Sequence, residues 1–403
     1  MSNLYITADQ VDRPDHGGGG VTGHESAALR ELGPTLTLGR DELSMDYCRQ
    51  LFPPGEEPWL WDERALVKKA EFLDPSPRIA HFYAGTFTKT VKHLKECGYR
   101  VCYTAAAHDI AASRKAHEEL GIPYDYPHLT DPVLWERYVR GYLEADVLVC
   151  PSTHSANVMR GFGTKNRIEV IPHGVDLPKC RNCGGTNRFF IPNAPDKDPP
   201  GEYVDCVHCR GTLVEPVAPL PNRFVVGYLG AVGPDKGLID LLRAWRNLQC
   251  SDAELVIAGG QSNSGFVQNL IAHVNNEQKR GFTGPPIHLM GWVENISDFY
   301  NQISLYVQPS RSEGFGIEIM ESLIHGRSVL CSTGAGACDL VAPDARFALG
   351  DVDALAGLLE KRKQWHAAGQ LDYFLMANRL FAENYTWTKI RERYQALWRG
   401  LLN

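Results

Sequence analysis

Two successive series of short apolar runs, each followed by a stretch of helical periodicity, restrict the fold of this chain more than any other feature. The first series runs through Leu4 to Ala8, Ile79 to Tyr83, Arg100 to Thr104, Val147 to Cys150 and Glu169 to Ile171. The second opens at Arg223 to Leu229 and continues through Glu254 to Ala258, His288 to Met290, Leu305 to Gln308 and Ser328 to Cys331. Helical segments fill the intervals, such as Val21 to Leu32 and Pro132 to Glu144. Strands alternating with helices imply parallel sheets covered on both faces, an α/β architecture. Two such series predict two Rossmann-like domains facing each other across a cleft, with ligands at the carboxyl ends of the strands. The length agrees, since 403 residues exceed what one hydrophobic core organises.

Between the series lies a segment of different composition, about 178–221, rich in Pro, Gly, Asn and Asp and without helical period. It carries Cys180-Arg181-Asn182-Cys183 and Cys206-Val207-His208-Cys209, two CxxC knuckles separated by 22 residues. Thiolates at this spacing close a tetrahedral zinc site, each knuckle supplying two ligands from a tight turn. Four protein ligands leave no open position, so Cys180, Cys183, Cys206 and Cys209 predict a structural Zn2+, and no catalytic metal is expected. So short a module has too little core to fold without such a staple. The expected division is therefore 1–177, a zinc-ribbon insert at 178–221, and 222–385, with a C-terminal helix at about 386–403 packing back on the first domain.

Of the eleven cysteines, the other seven are scattered, which suits a reducing compartment better than a disulfide framework. The start Met1 to Ile6 lacks the charged and apolar regions of a signal peptide, and no stretch has the apolar length of a membrane span. The expectation is a cytoplasmic protein. A formal net charge of −7 argues against nonspecific attachment to nucleic acid or anionic lipid.

The densest chemistry lies in Ser310-Arg311-Ser312-Glu313-Gly314-Phe315-Gly316-Ile317-Glu318-Ile319-Met320-Glu321, after the strand Leu305 to Gln308. Gly314 and Gly316 let backbone approach a ligand closely, and the N–H groups that open the following helix favour an anion or a ring of hydroxyls. Glu313 in the loop and Glu321 in the helix, seven residues between them, face one ligand from two directions. A second candidate is the run Gly17 to Gly20 after the first strand, where Gly18, Gly19 and Gly20 offer backbone N–H groups to a phosphate.

In these stretches the chain resembles glycosyltransferase family 4, retaining enzymes with the two-Rossmann GT-B fold. The resemblance rests on five pieces in order: the glycine-rich first turn, Ile171-Pro172-His173-Gly174-Val175-Asp176, Lys236-Gly237, the Glu313/Glu321 pair, and Tyr385-Thr386-Trp387-Thr388-Lys389-Ile390. It implies transfer of a sugar from a UDP-, GDP- or ADP-type nucleotide-sugar to an acceptor hydroxyl with retention of configuration. It implies that Glu321 holds the ribose hydroxyls and that Glu313 supports charge developing at the anomeric carbon. The N–H groups of Phe315, Gly316 and Ile317 would hold sugar hydroxyls and phosphate. Lys236, at a helix start after a strand, would meet the diphosphate, whose departure demands preorganised cations. His108, past the carboxyl end of a strand, would approach the donor sugar.

The chain departs from the family pattern where an arginine commonly follows the glycine that ends the first strand of the second domain: Gly230 is followed by Ala231. Arg311 and Arg160 are the candidate substitutes. His173 stands where Asn is commoner and reads as a hinge or structural residue, His24 as structural, and Glu318 as a solvated helix charge or a site residue. No separate general base is implied. In the front-face mechanism usual for this fold the leaving phosphate oxygen takes the acceptor's proton, and double displacement through a carboxylate nucleophile ranks second. Two other functions compete: glycosylation of a modified nucleic-acid base with the zinc module on the polymer, and non-catalytic nucleotide-sugar binding. The acceptor and the oligomeric state are not legible in the sequence.

Overall fold

The computed structural model describes residues 3–7, 17–38, 78–83, 88–107, 109–124, 132–180, 188–192, 201–205, 209, 212, 214–248, 250–277 and 285–403. In the first half these form β1 (Asn3–Thr7), α1 (Gly17–Arg30), β2 (Thr35–Leu38), β3 (Arg78–Tyr83), α2 (Thr88–Glu96), β4 (Tyr99–Thr104), α3 (Ile110–Glu119), α4 (Pro132–Glu144), β5 (Val147–Cys150), α5 (Thr153–Gly161) and β6 (Arg167–Val170). The sheet is wholly parallel, in the order β2-β1-β3-β4-β5-β6. Every residue of β3 and β5 is buried, as helices on both faces require of a parallel sheet.

The second half holds β9 (Phe224–Leu229), α6 (Leu238–Asn247), β10 (Ala253–Ala258), α7 (Gly265–Glu277), β11 (Ile287–Gly291), α8 (Ile296–Gln302), β12 (Leu305–Gln308), α9 (Ile317–Ile324), β13 (Ser328–Ser332), β14 (Arg346–Phe347), α10 (Val352–Ala367), α11 (Asp372–Ala382) and α12 (Trp387–Leu402). Its strands are ordered β11-β10-β9-β12-β13-β14, so the order reverses between β9 and β12, which pair in parallel. A doubly wound sheet opens a crevice at that point, beyond the carboxyl ends of the two strands. Both candidate acid and lysine loops leave from there.

Three elements depart from expectation. The helix read over Val21 to Leu32 begins earlier: α1 starts at Gly17, so Gly18, Gly19 and Gly20 make its first turn. Those residues are poor helix formers, but Val21, Ala28 and Leu29 bury against the first sheet and tertiary packing overrides propensity. β2 and the two-residue β14 were not read from sequence, being short edge strands whose partners alone define them. The last strand of the first series starts two residues before the expected run and ends one residue before that run's end, at Arg167–Val170.

The intervening segment contains an antiparallel hairpin, β7 (Arg188–Pro192) with β8 (Gly201–Asp205), and a bridge from Lys179 to Val214. Cys180 and Cys209 are buried there, whereas Cys183 and Cys206 lie outside the described residues. Among the described residues no group of three or more His, Cys, Asp or Glu is placed to hold a metal, and no helix is long and apolar enough to cross a membrane.

The chain returns to its beginning through α12. Trp387, Ile390, Tyr394 and Trp398 are buried in one core with Tyr5, Val21, Leu29 and Ile79 of the first domain. At the centre of this contact is a carboxylate with no exposure, Glu25 of α1. It accepts hydrogen bonds from Tyr5 (2.7 Å), Thr104 (3.0 Å) and Tyr394 (2.5 Å), and His81 lies 3.4 Å away. The Trp398 indole donates to His81 Nδ1 at 3.2 Å, and His81 Nε2 lies 2.8 Å from the Thr104 hydroxyl, beside Glu25. Burial pushes the Glu25 carboxyl up, but His81, Tyr394 and Tyr5 outweigh it and hold the group below its ordinary range.

Candidate active site

The loop after β9 turns through Pro234–Lys236 and ends at Gly237, whose φ of 66° and lack of a side chain are both required. A Cβ there would stand 2.0 Å from the carbonyl oxygen of Pro309. That close approach lets the Asp235 carbonyl accept from the N–H of Arg311 (2.7 Å) and of Ser312 (3.2 Å), stitching the lysine loop to the loop after β12. The second loop is held from its other side. Glu313 donates its N–H to Gly334, and its carbonyl accepts from Gly336.

The two loops deliver Lys236 and Glu313 to one place, Nζ to Oε2 at 2.5 Å, with Asp235 at 3.7 Å from the same ammonium. Burial pulls the lysine's pKa down, and the Glu313 and Asp235 carboxylates more than reverse this, so the ammonium stays charged. Glu318 and Glu321 follow one helical turn apart on α9. Burial first, then the charges of Glu313 and Glu321, raise the Glu318 carboxyl to about 8. Burial raises Glu321 to about 7 despite a 3.0 Å hydrogen bond from the Tyr300 hydroxyl. Glu318 is therefore no solvated helix charge; it shares the crevice.

The first domain meets this loop directly. The Gly314 carbonyl accepts from Ser152 at 2.8 Å and Ser155 at 3.1 Å, and Ser312 Oγ donates to the Asp109 carbonyl at 2.9 Å. His108 lies outside the described residues, between Ala107 and Asp109. His173 is buried at the junction, its ring edge-on to Phe315 at 5.2 Å, and burial lowers its pKa to about 4. His24 stacks on Trp387 at 4.4 Å and accepts from Arg391, which ties it to the returning helix.

Arg311, the first candidate to substitute for the missing arginine, is engaged by carboxylates of both domains. Its guanidinium is buried, forked onto Asp240 by two 2.6 Å bonds, and paired across the domains with Glu119. Its charge is matched by these two carboxylates. Arg160 is exposed and bonds Asn157. Among the described residues of the crevice Lys236 thus stands with four acids, Asp235, Glu313, Glu318 and Glu321.

One candidate was missed in the sequence. Trp292 follows Gly291 at the carboxyl end of β11, 58% exposed, with its ring beside Gly260 after β10. An aromatic residue directly after the glycine that ends a strand was the available signal.

Residues 46–179 match the family model described as Glycosyltransferase Family 4, and residues 223–361 match that described as Glycosyl transferases group 1. The serotype-specific mannosyltransferase WbdA of Escherichia coli is 24% identical over 315 residues, covering 75% of this chain and 33% of WbdA. The chain thus spans about a third of that relative's length. Sucrose-phosphate synthase of Thermosynechococcus elongatus superposes with a TM-score of 0.69 at 16% identity, over 100% of this chain and 99% of that one. Anabaena HepE, solved in complex with UDP, gives 0.60 at 16% identity over 99% and 100% of the two chains. The fold is that of a two-domain GT-B protein.

Proposed function

We propose that this chain, each half of which matches a glycosyltransferase model, is a nucleotide-sugar-dependent glycosyltransferase. The observation that carries the reading is the Lys236–Glu313 pair at the β9/β12 switch point. There a diphosphate displaces Glu313 from the ammonium and takes its place. Phosphate charge also favours the N–H groups of Phe315, Gly316 and Ile317 at the start of α9. Glu321, ionised, accepts from the ribose hydroxyls, and the exposed face of Trp292 serves as a platform for the base. Glu318, protonated near neutral pH, donates a hydrogen bond where a second cation is missing. HepE, of the same fold, is solved with UDP, which makes a uridine donor the first to test.

Once the donor is seated, the bond from the anomeric carbon to the phosphate oxygen breaks and Lys236 neutralises the charge that forms. Glu313, freed from the lysine, faces the anomeric carbon and supports its positive charge. The acceptor oxygen attacks from the face the phosphate leaves, its proton passes to the departing phosphate oxygen, and configuration is retained. His108 of the first domain approaches the donor sugar. A panel of nucleotide-sugars screened by thermal shift, followed by donor hydrolysis without acceptor, tests the reading. No stabilisation by any donor, or hydrolysis that persists unchanged in Glu313→Gln, overturns it.

The insert is proposed to hold one structural zinc through Cys180, Cys183, Cys206 and Cys209. Burial of Cys180 and Cys209 near the Lys179–Val214 bridge supports this. Metal analysis of the purified protein is expected to find one zinc per chain, lost together with insert stability in Cys180→Ser; a metal-free native protein refutes it.

A further inference from the structure

Two of the scattered cysteines come together beside the loop that carries Glu313. Cys331 lies near the carboxyl end of β13, and Cys338 in the short 3-10 turn Gly336–Leu340 that follows. Two successive turns fold the chain back between them: Ala335 donates its N–H to the Ser332 carbonyl at 3.2 Å, and Cys338 donates its own to the Ala335 carbonyl at 3.0 Å. The two sulfurs are thereby brought into hydrogen-bonding contact, and both residues are packed in the core of the second domain. Their surroundings differ. Cys331 has no exposure, whereas Cys338 keeps 5%. Arg346, the neighbour of Cys331 across the β13/β14 pairing, donates to the carbonyls of Val341 (2.7 Å) and Asp339 (3.1 Å), which sets a cation beside Cys338. The hydrogen bond from Cys331 holds the Cys338 thiol below its ordinary range against burial, with help from Arg346, while burial raises Cys331. A thiol with more thiolate character next to a buried partner thiol suits stepwise oxidation.

The five residues between them, Thr333 to Ala337, form a strap under the acid loop. Gly334 accepts from the Glu313 N–H at 3.0 Å, Gly336 donates to the Glu313 carbonyl at 3.0 Å, and Ala337 donates to the Phe315 carbonyl at 2.7 Å. A Cβ on Gly336 would stand 2.1 Å from the Gly314 carbonyl oxygen, so strap and loop touch backbone to backbone. A covalent link between the cysteines joins the two ends of this strap. We infer that Cys331 and Cys338 form a reversible disulfide when the protein meets a hydroperoxide, and that the bridge stiffens the strap beneath Glu313. The Cys338 thiolate attacks a peroxide oxygen, the O–O bond breaks, and the released oxygen leaves as water or an alcohol with the proton that the thiol gave up. Cys331 then attacks the resulting sulfenic sulfur, its proton leaves with the hydroxide as water, and the sulfur–sulfur bond forms. Both electrons come from the thiols, and the peroxide is reduced. In a reducing compartment such a bridge is transient, as a redox-responsive one must be. The thiol chemistry does not rest on the transferase reading.

Treatment of the full chain with hydrogen peroxide, followed by alkylation and peptide mapping, tests the inference. A peptide linking Cys331 to Cys338 is expected, and dithiothreitol is expected to remove it. Hydrogen exchange at the Gly336 and Ala337 amides, the two strap donors to the acid loop, is expected to slow severalfold in the bridged protein and to recover on reduction. Cys331→Ser is expected to halt at the sulfenic acid on Cys338, captured by dimedone, and Cys338→Ser to give neither adduct nor slowing. Full alkylation of both cysteines after peroxide, a Cys338 bridge to another cysteine, or unchanged strap exchange in the bridged protein overturns the inference. The mapping of the native chain decides the bridge even where a variant does not fold.

Discussion

Lys236 Nζ lies 2.5 Å from a carboxylate oxygen of Glu313, although 77 residues separate the two in the chain. They meet because β9 and β12 are neighbours in the sheet and each loop leaves at a carboxyl end. In the free protein the pair satisfies both charges. On the proposed reading, a bound diphosphate takes the lysine and releases the acid toward the sugar.

Lys236→Met is therefore expected to lower kcat/KM for transfer or donor hydrolysis by about 10²–10³, with weaker donor binding. Glu313→Gln is expected to lower kcat comparably while nucleotide diphosphate affinity changes little. Steady-state kinetics with calorimetric nucleotide binding separate the two. Equal loss of nucleotide affinity in both variants would sink the division of roles.

The raised carboxyls predict a pH window for nucleotide binding. On the proposed reading Glu321 accepts from ribose more strongly when ionised, so affinity rises as pH climbs through about 7. Ionisation of Glu318 above about 8 places new negative charge beside the diphosphate, and affinity falls again. Glu318→Gln is expected to flatten the alkaline limb and Glu321→Gln the acid limb. Stability follows the opposite sense to a paired acid: the folded state holds these protons more tightly than the unfolded, so it loses stability as pH rises from the ordinary carboxylate range through 7 and 8. Glu318→Gln should accordingly be stabilising at pH 9 relative to wild type and neutral at pH 4. Melting curves across pH check this, and a constant difference is the failing result.

Arg311 is expected to matter for closure and stability. Arg311→Met leaves Asp240 buried and unpaired and is expected to cost about 3–5 kcal/mol. Glu119, 41% exposed, contributes less, and Glu119→Gln is expected to cost under about 1 kcal/mol while loosening the contact between domains. Urea unfolding measures the first. Small-angle scattering measures the second, where an unchanged radius would argue that the pair does not hold the domains together.

Glu25 is expected to be the residue that fastens α12 to the first domain. Glu25→Gln breaks charge-assisted bonds from Tyr5, Thr104 and Tyr394 and should cost about 3 kcal/mol. Because the native carboxyl is held below its ordinary range, its contribution is present above that range and is lost as pH falls through the lowered value. The gap between wild type and variant should therefore close in acid. Hydrogen exchange is expected to show α12 opening before the second sheet in the variant, and uniform opening would refute the assignment.

Much of this protein was legible before any coordinates. The strand runs predicted both sheets, and Val147–Cys150 and Leu305–Gln308 match their predicted limits because buried parallel strands read as continuous apolar runs. The helix Pro132–Glu144 also matches its predicted limits, through its amphipathic period. The helix start was placed four residues late, at Val21 and not Gly17, because propensity is local while this helix is held by distant packing. Trp292 went unread since its meaning lies in the strand end it follows, and the partners of Arg311 went unread since nothing in the sequence shows Asp240 and Glu119 converging on it.

What the sequence determined by itself was periodic and ordered: two parallel sheets, the insert between them, and the succession of loops that carry Lys236, Glu313 and Glu321. The tertiary structure alone decided which charges meet. Ion pairing and burial depend on distance in space, and the β9/β12 reversal joins Lys236 to Glu313 while the returning helix surrounds Glu25. The carboxyls of Glu318 and Glu321 are raised for the same reason, since desolvation exists only once the crevice has closed around them.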